Sequence, residues 1–520
     1  MIDFSAFLEA LNIMATSAGS WGWIVPGLVV GLVFSAIPGV SITMAMAIVL
    51  PMSLYMDFFS AVVFLTSVYT GAGFGGSVPA ILMNIPGSPA SYATTFDGYA
   101  MSKKGQHNEA LGYALFASTI CGILGYVLLL FVVEPLANIV LRIGPLEMFA
   151  VAIWGMLLLG SLGSKYVTRG LLAAGLGVLL GTVGMNTAGF IRGTMGFPTL
   201  LDGISPIPAM IGLLAAGQLL TLAGKDYILD AEEARKVSVR KILAGCWGTM
   251  KYPGVLVRGS IIGIIIGAVP GVGSSVGNLI AYAETKRTAK DSASFGKGNP
   301  KGVIAAESAV ASAEGGSMAT MLALGIPGGG ATAILLAAFM MHNIVPGPTF
   351  IETQKPMVYA IILNNIVQAI ALLGVGIGFI YLASMVVKVR TRYILPAILV
   401  IATLGTYAVD GSPSGPITLF IFSLLGFLLV RYEYPVAAVV VGILLGRMLE
   451  TEFLRSYQLS GGDPLYLFQR PGAMAIVGIM ILSFAMTAWG KRKQARVEAE
   501  EELALQKLHE EEAVAGARKT

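Results

Sequence analysis

Apolar runs of roughly 18 or more residues follow one another along nearly the whole chain. Each is long enough to cross a bilayer as a helix. The runs are continuous and do not alternate, which argues against the strand pattern of a membrane β-barrel. Composition agrees: 56% of the 520 residues are hydrophobic and 12% are charged, with a mean hydropathy of +0.79. A soluble domain carries about 25% charged residues. The sequence predicts an all-α polytopic protein embedded in lipid.

Two of the runs are interrupted in the same way. Residues 35–43 read SAIPGVSIT and residues 267–275 read GAVPGVGSS. Pro38 falls on Pro270 and Gly39 on Gly271, an offset of 232, which also places Gly27 and Gly31 on Gly259 and Gly263. A second motif follows in each half: GFGGSVPAILMNIPGSPA at 73–90 and EGGSMATMLALGIPGGGA at 314–331. There Pro86 falls on Pro327 and Gly87 on Gly328, an offset of 241. Two motifs repeated in order indicate an internal duplication.

The charges orient the two copies. Lys and Arg concentrate in cytoplasmic loops. In the first half the basic loop (SKKGQ, 102–106) follows the second motif; in the second half it lies between the motifs, at 286–301. The halves are therefore expected to face opposite ways, as inverted-topology repeats do in secondary transporters. Basic stretches at 165–169, 225–258, 388–392 and from 491 onward continue one alternation, with the N-terminus outside and the C-terminus in the cytoplasm. Residues 1–20 lack a basic signal-type n-region and read as an interfacial amphipathic helix, with Phe4, Phe7, Leu8 and Leu11 on one side. Residues 21–224 and 255–490 read as the two repeats, 225–254 as a basic cytoplasmic linker, and 491–520 as a charged cytoplasmic tail. Roughly 10–12 spanning segments plus shorter broken pieces are expected, including re-entrant hairpins at about 24–50 and about 255–283.

Proline inside a helix removes a donor and clashes with the preceding turn, so the helix breaks. Unpaired backbone groups at membrane depth are tolerated only inside protein or along a cavity. The piece after each break presents N–H groups and partial positive charge, which suits anions. Small polar residues follow the breaks: Ser41 and Thr43, Ser88, Ser274 and Ser275, and Thr332, while Asn84 precedes the second. Gly39, Gly87, Gly271 and Gly328 to Gly330 would let a ligand approach the backbone. Residues 24–102 and 302–354 contain no Lys or Arg. A carboxylate bound there would rely on N–H groups, hydroxyls and amides, and a co-bound Na⁺ or H⁺ would offset its charge. Asn84, Ser275 and the exposed carbonyls are candidate Na⁺ ligands. Asp57, Asp97, Glu284, Glu307 and Glu314 are candidate proton or cation carriers, against the plainer readings of a wet rim for Glu307 and Glu314 and a structural role for Asp97.

No catalytic pair and no metal-ligand spacing is legible, so neither an enzyme nor a resident cofactor is expected, and nothing points to nucleic acid. Cys121 and Cys246 read as structural. GAGFGG at 71–76 matches a dinucleotide-binding glycine pattern, but no strand precedes it, and it is rejected. The alternative to a transporter is an ion channel or pore using the same broken helices as a filter.

Five stretches together resemble the large permease subunit of the bacterial tripartite tricarboxylate transporters. They are AIPGVSITMAMAIVLPMSLYMD, YTGAGFGGSVPAILMNIPGSPASYATTFDGYAMSKKGQ, GAVPGVGSS, FGKGNPKGVIAAESAVASAEGG and LGIPGGGATAILLAAFMMHNIVPGP. The resemblance covers the chain to about residue 489. It implies an elevator-like fold in the bacterial inner membrane. It also implies a small membrane partner of about four helices, a periplasmic substrate-binding protein, and ion-driven import of citrate or other di- and tricarboxylates. Carried onto this sequence, the binding segments are Pro38 to Thr43, Asn84 to Ser88, Pro270 to Ser275 with Gly273, and Gly325 to Gly330 with Pro327 and Gly329. AESAVASAEGG departs from the family pattern in lacking a proline before the Glu and paired Asn after it, and IPGGG in lacking a Ser after the first Gly. The substrate and the coupling ion stay open on both counts.

Overall fold

A computed structural model describes residues 3–482 except 38–39, 85, 141–143, 163–166, 187–188, 217–236, 270–272, 387–398, 401, 405, 408–409 and 464–465. Pro38, Gly39, Pro270 and Gly271, the expected tail 491–520 and much of the expected linker lie outside the described residues.

The element order repeats. A short helix α1 (Phe4–Thr16) leads to α2 (Ile24–Ser35), a break, and α3 (Ile42–Val49). The long α4 (Phe58–Gly75) runs on into α5 (Ser77–Met83), a second break follows, and then α6 (Tyr92–Lys103) and the 34-residue α7 (His107–Val140). After α8 (Pro145–Leu162) and α9 (Val167–Gly181) the order returns. Short α10 (Val239–Thr249), α11 (Pro253–Ala268), a break and α12 (Ser274–Thr288) precede long α13 (Pro300–Leu324), a break, α14 (Gly330–Met341) and the 32-residue α15 (Lys355–Val386). α16 (Ser414–Arg431) and α17 (Val436–Leu459) follow. Among the described residues the one sheet is the two-residue pairing of Gly184–Met185 with Ile191–Arg192.

Local chemistry sets the helix starts. Asp57 caps α4 by accepting from the Ser60 N–H (3.0 Å), Ser41 caps α3 through Met44 (3.1 Å), and Asn299 caps α13 through Lys301 (3.0 Å). Asn84 ends α5 at φ 61° and Gly325, its counterpart 241 positions on, ends α13 at φ 67°. This left-handed stop is open to Asn and Gly.

Among the described residues four helices are long and apolar enough to cross a membrane. The bent pairs α1–α2 and α10–α11 raise this to six at most. The roughly 10–12 spans expected refer to the whole chain, with shorter broken pieces besides, and several of its apolar runs lie partly outside the described residues. The breaks cut several runs into helices of 8, 12 and 15 residues, too short to span alone.

The central helices are buried in protein, not lipid: the most apolar stretch of α4–α5 is 94% buried, against 33% for α16. α11 shows how one helix serves both environments. Val257, Ile261 and Ile265 form an exposed apolar stripe, and Gly259, Gly263 and Gly267 lie against α13. Exposed Phe4, Leu8 and Leu11 likewise share one side of α1, while Phe7 is partly buried and Ala6, Ala10 and Met14 pack inward. Helices α1–α7 and α10–α15 pack together, with α1 on α15 and α10 on α7. A second set joins α8 and α9 to α17, and α16 to the segment 206–216. The two sets touch mainly through α3 and α14.

Close glycine contacts recur at the offsets of the sequence motifs. A β-carbon on Gly27 would lie 2.6 Å from Cβ of Ser67, and one on Gly259 2.6 Å from Cβ of Ser308. A side chain on Gly31 would meet the Val68 carbonyl, and one on Gly263 the Ala309 carbonyl. Gly75 lies on Leu32 as Gly316 lies on Ile264, and Gly87 lies on Ser35 and Gly76 as Gly328 lies on Gly267 and Ser317. In each case the α2 or α11 residue shifts by 232 and its partner by 241.

Candidate functional site

The second limbs of the broken helices interlock. A β-carbon on Gly330 would lie 2.5 Å from Oγ1 of Thr43, so the first break of one half meets the second break of the other. Gly329 faces Gly273, its β-carbon position 3.2 Å from that Cα. Asn278 on α12 donates to the Pro89 carbonyl (3.1 Å) and to the Ala90 carbonyl. Ser88 is buried, Thr332 exchanges hydrogen bonds with Gly329 at 3.0 Å, and Ser274 is buried at the start of α12 beside half-buried Ser275. Pro86, Gly87, Pro327, Gly328 and Gly325 line the same turns. Asn84 is exposed at the end of α5. No contact joins it to Ser275 among the described residues.

The two glutamates on α13 lie inside the protein. Glu307 is fully buried and accepts from the hydroxyls of Ser77 (2.6 Å), Thr94 (2.5 Å) and Ser118 (3.1 Å). Glu314 accepts from Thr70 (2.9 Å) and Tyr126 (3.2 Å), and Gly73 leaves the space for its Oε1. Among the described residues their hydrogen-bond partners are hydroxyls alone, carried by α4, α5, α6 and α7. This replaces the wet-rim alternative for the pair with a buried position. The sequence held one unused signal: Thr70 and Ser77 are seven apart, as are Glu307 and Glu314, so two helices can match along one face. Ser118, Thr94 and Tyr126 had no local signature.

Asp97 sits elsewhere. Its Oδ1 accepts from the N–H groups of Gly296 (2.9 Å), Gly298 (2.8 Å) and Asn299 (2.7 Å), and its Oδ2 from the Tyr282 hydroxyl (2.9 Å). It thereby ties the loop between α12 and α13 to α6 of the other half. In that loop Lys301 pairs with Asp291 at 2.6 Å and holds the Asp291 carboxyl below its usual range. Asp57 is spent on its helix cap, and Glu284 pairs with Arg287 at 2.7 Å. Asp97→Ala is expected to orphan three N–H groups and release the loop. Trypsin would then cut at exposed Lys290 and Lys297 at least about tenfold faster, as a loss of roughly 1–3 kcal/mol per orphaned group allows. An unchanged cutting rate would refute the tie.

Among the described residues no group of three or more His, Cys, Asp or Glu side chains is placed to hold a metal ion, and both cysteines are free and buried.

The sequence that builds these breaks and carries the two buried glutamates is matched by known proteins. Residues 22–441 match the family described as "Tripartite tricarboxylate transporter TctA family". The chain belongs to the TctA family. It is thus a multi-pass membrane protein of a tripartite transporter, a system that implies partner proteins. One relative is an Agrobacterium vitis protein described as "Uncharacterized 52.8 kDa protein in TAR-I ttuC' 3'region". It is 30% identical over 508 residues, 96% of this chain and 98% of the relative. Another from the same organism, "Uncharacterized protein in TAR-II ttuC' 3'region", is 29% identical over 240 residues, 45% of this chain and 99% of the relative. No solved structure matches the chain.

Proposed function

We propose that this chain is the large membrane subunit of a binding-protein-dependent secondary transporter. It imports citrate-like di- or tricarboxylates across the bacterial inner membrane, coupled to Na⁺ or H⁺. The observation that carries this reading is the meeting of the helix breaks, with Thr43 on Gly330, Gly273 on Gly329 and Asn278 on Pro89 and Ala90. Such breaks bring helix starts and free backbone groups to one place inside the protein, the means by which transporters hold a substrate near the midplane. Without Lys or Arg in 24–102 and 302–354, the helix starts of α3, α6, α12 and α14 and their hydroxyls take the carboxylates.

The recurrence of contacts at fixed offsets supports two repeats, and the basic loops support their inversion. The narrow contact of the repeat helices with the second set, through α3 and α14, suits an elevator in which one set slides past the other. The partners are a small membrane subunit of about four helices and a periplasmic substrate-binding protein.

The test is uptake of labelled carboxylates into proteoliposomes. They hold this chain with its small subunit, and the binding protein is added outside. Accumulation that requires the binding protein and an imposed Na⁺ or H⁺ gradient is the expected result. Downhill flux with no partner and no gradient dependence would overturn the reading in favour of a pore.

A further inference from the structure

Gly76, between α4 and α5, faces a small polar cradle. A β-carbon there would lie 2.6 Å from Oγ of Ser91, 3.1 Å from Oγ of Ser35 and 3.1 Å from Oγ of Ser88. Three hydroxyl oxygens thus converge on the face of Gly76, closer than a side chain there would allow. All three serines are at least nine-tenths buried, with exposures of 0%, 0% and 4% for Ser35, Ser91 and Ser88. Ser88 and Ser91 share only a long contact of 3.5 Å. Among the described residues the Ser35 hydroxyl has no hydrogen-bond partner. A buried hydroxyl left unpaired costs free energy, so something that is not protein is expected to satisfy it.

The other half shows the same place closed. The counterpart of Gly76 is Ser317, whose hydroxyl donates to the Gly267 carbonyl at 3.0 Å. The counterpart of Ser35 is Gly267, which offers no hydroxyl, and Thr332, the counterpart of Ser91, is engaged with Gly329. One half fills its cradle with a side chain; the other empties it and turns hydroxyls towards it.

We infer that Ser35, Ser88 and Ser91 over Gly76 form a site for one Na⁺ ion. This inference rests on the proposed transport function only for its role as the coupling site; binding itself is independent of it. Hydroxyl oxygens suit a hard cation, and a ligand set without a carboxylate suits a single charge over a divalent ion. The surrounding charge agrees. Glu307 is held by Ser77, next to Gly76, and by Thr94, one turn beyond Ser91, and no Lys or Arg occurs in 24–102. Ser35 also ends α2, and the C-terminal end of a helix favours a cation. Asn278, reaching from the other half onto Pro89 and Ala90, fixes the segment that carries Ser88 and Ser91. Ion binding would thereby join both halves at the breaks.

The test uses the purified complex of this chain with its small subunit, melted in NaCl, KCl and choline chloride without substrate. The expected result is a stabilisation by Na⁺ that K⁺ and choline do not give. Ser35→Ala should melt in choline at least as high as wild type, because it removes an unpaired hydroxyl. It should also raise the Na⁺ concentration for half-maximal stabilisation at least about tenfold. Gly76→Ala, which puts a methyl group into the cradle, should do the same, and Ser317→Ala should not. Equal melting in all three salts would mean a water site only and would overturn the inference. So would an unshifted Na⁺ response in Ser35→Ala and Gly76→Ala. Sodium binding lost in these variants, in a complex that shows no binding-protein-dependent uptake, would keep the site and overturn the transport reading alone.

Discussion

Glu307→Ala is expected to unfold or strongly destabilise the protein, and Glu307→Gln to keep the fold while losing transport. The alanine leaves the buried hydroxyls of Ser77, Thr94 and Ser118 without their acceptor. An orphaned buried group costs roughly 1–3 kcal/mol, and the emptied volume adds a cavity term, so a total of about 4 kcal/mol is expected. The glutamine keeps the shape and one acceptor oxygen, and hydroxyls can turn to accept from its amide. It removes the ionisable group and exchanges one acceptor oxygen for an amide donor. Thermal unfolding in detergent should therefore separate the two variants, while uptake should fall at least about tenfold in both, a barrier change of roughly 1.4 kcal/mol. Wild-type uptake by Glu307→Gln would remove the carboxylate from the transport cycle and leave it a packing role.

The second large effect concerns the glycine faces. Gly31→Ala and Gly263→Ala should be about equally damaging, each near 3 kcal/mol, the upper range for overpacking a tight contact. In both, the new methyl group meets a backbone carbonyl, of Val68 or Ala309, which cannot rotate away as a side chain would. Gly254→Ala, on the same helix as Gly263 but with open space around it, should cost less than about 0.5 kcal/mol. The yield of monodisperse protein and its melting temperature report the difference. A Gly31 variant as stable as wild type beside a crippled Gly263 variant would contradict equivalent packing in the two halves.

Much of this molecule is written locally. The length and continuity of the apolar runs dictate membrane helices, because backbone groups in lipid must be paired within a helix. The Pro-Gly pairs dictate where those helices stop, and Asn84 and Gly325 mark two of the stops by tolerating positive φ. The offsets of 232 and 241 mark which close glycine contacts recur, since small residues at the same spacing allow the same approach of two helices. Even the glutamate pair was visible as one helix face.

Partners across the fold were not legible. Thr94 reaches Glu307 over 213 positions and Ser35 lies against Gly87 and Gly76 of another segment. Asp97 shows the same limit from the other side: its sequence neighbours suggest an acid near a basic loop, yet the N–H groups it binds are about 200 positions away. Periodicity reports which side of a helix is apolar, but not which helix covers it. The sequence by itself determined the helices, their breaks and the recurrence of the Pro-Gly motifs. Only the packing of one half on the other decided which hydroxyls meet a carboxylate and which converge on Gly76, because those contacts exist only once distant helices are brought within a few ångströms.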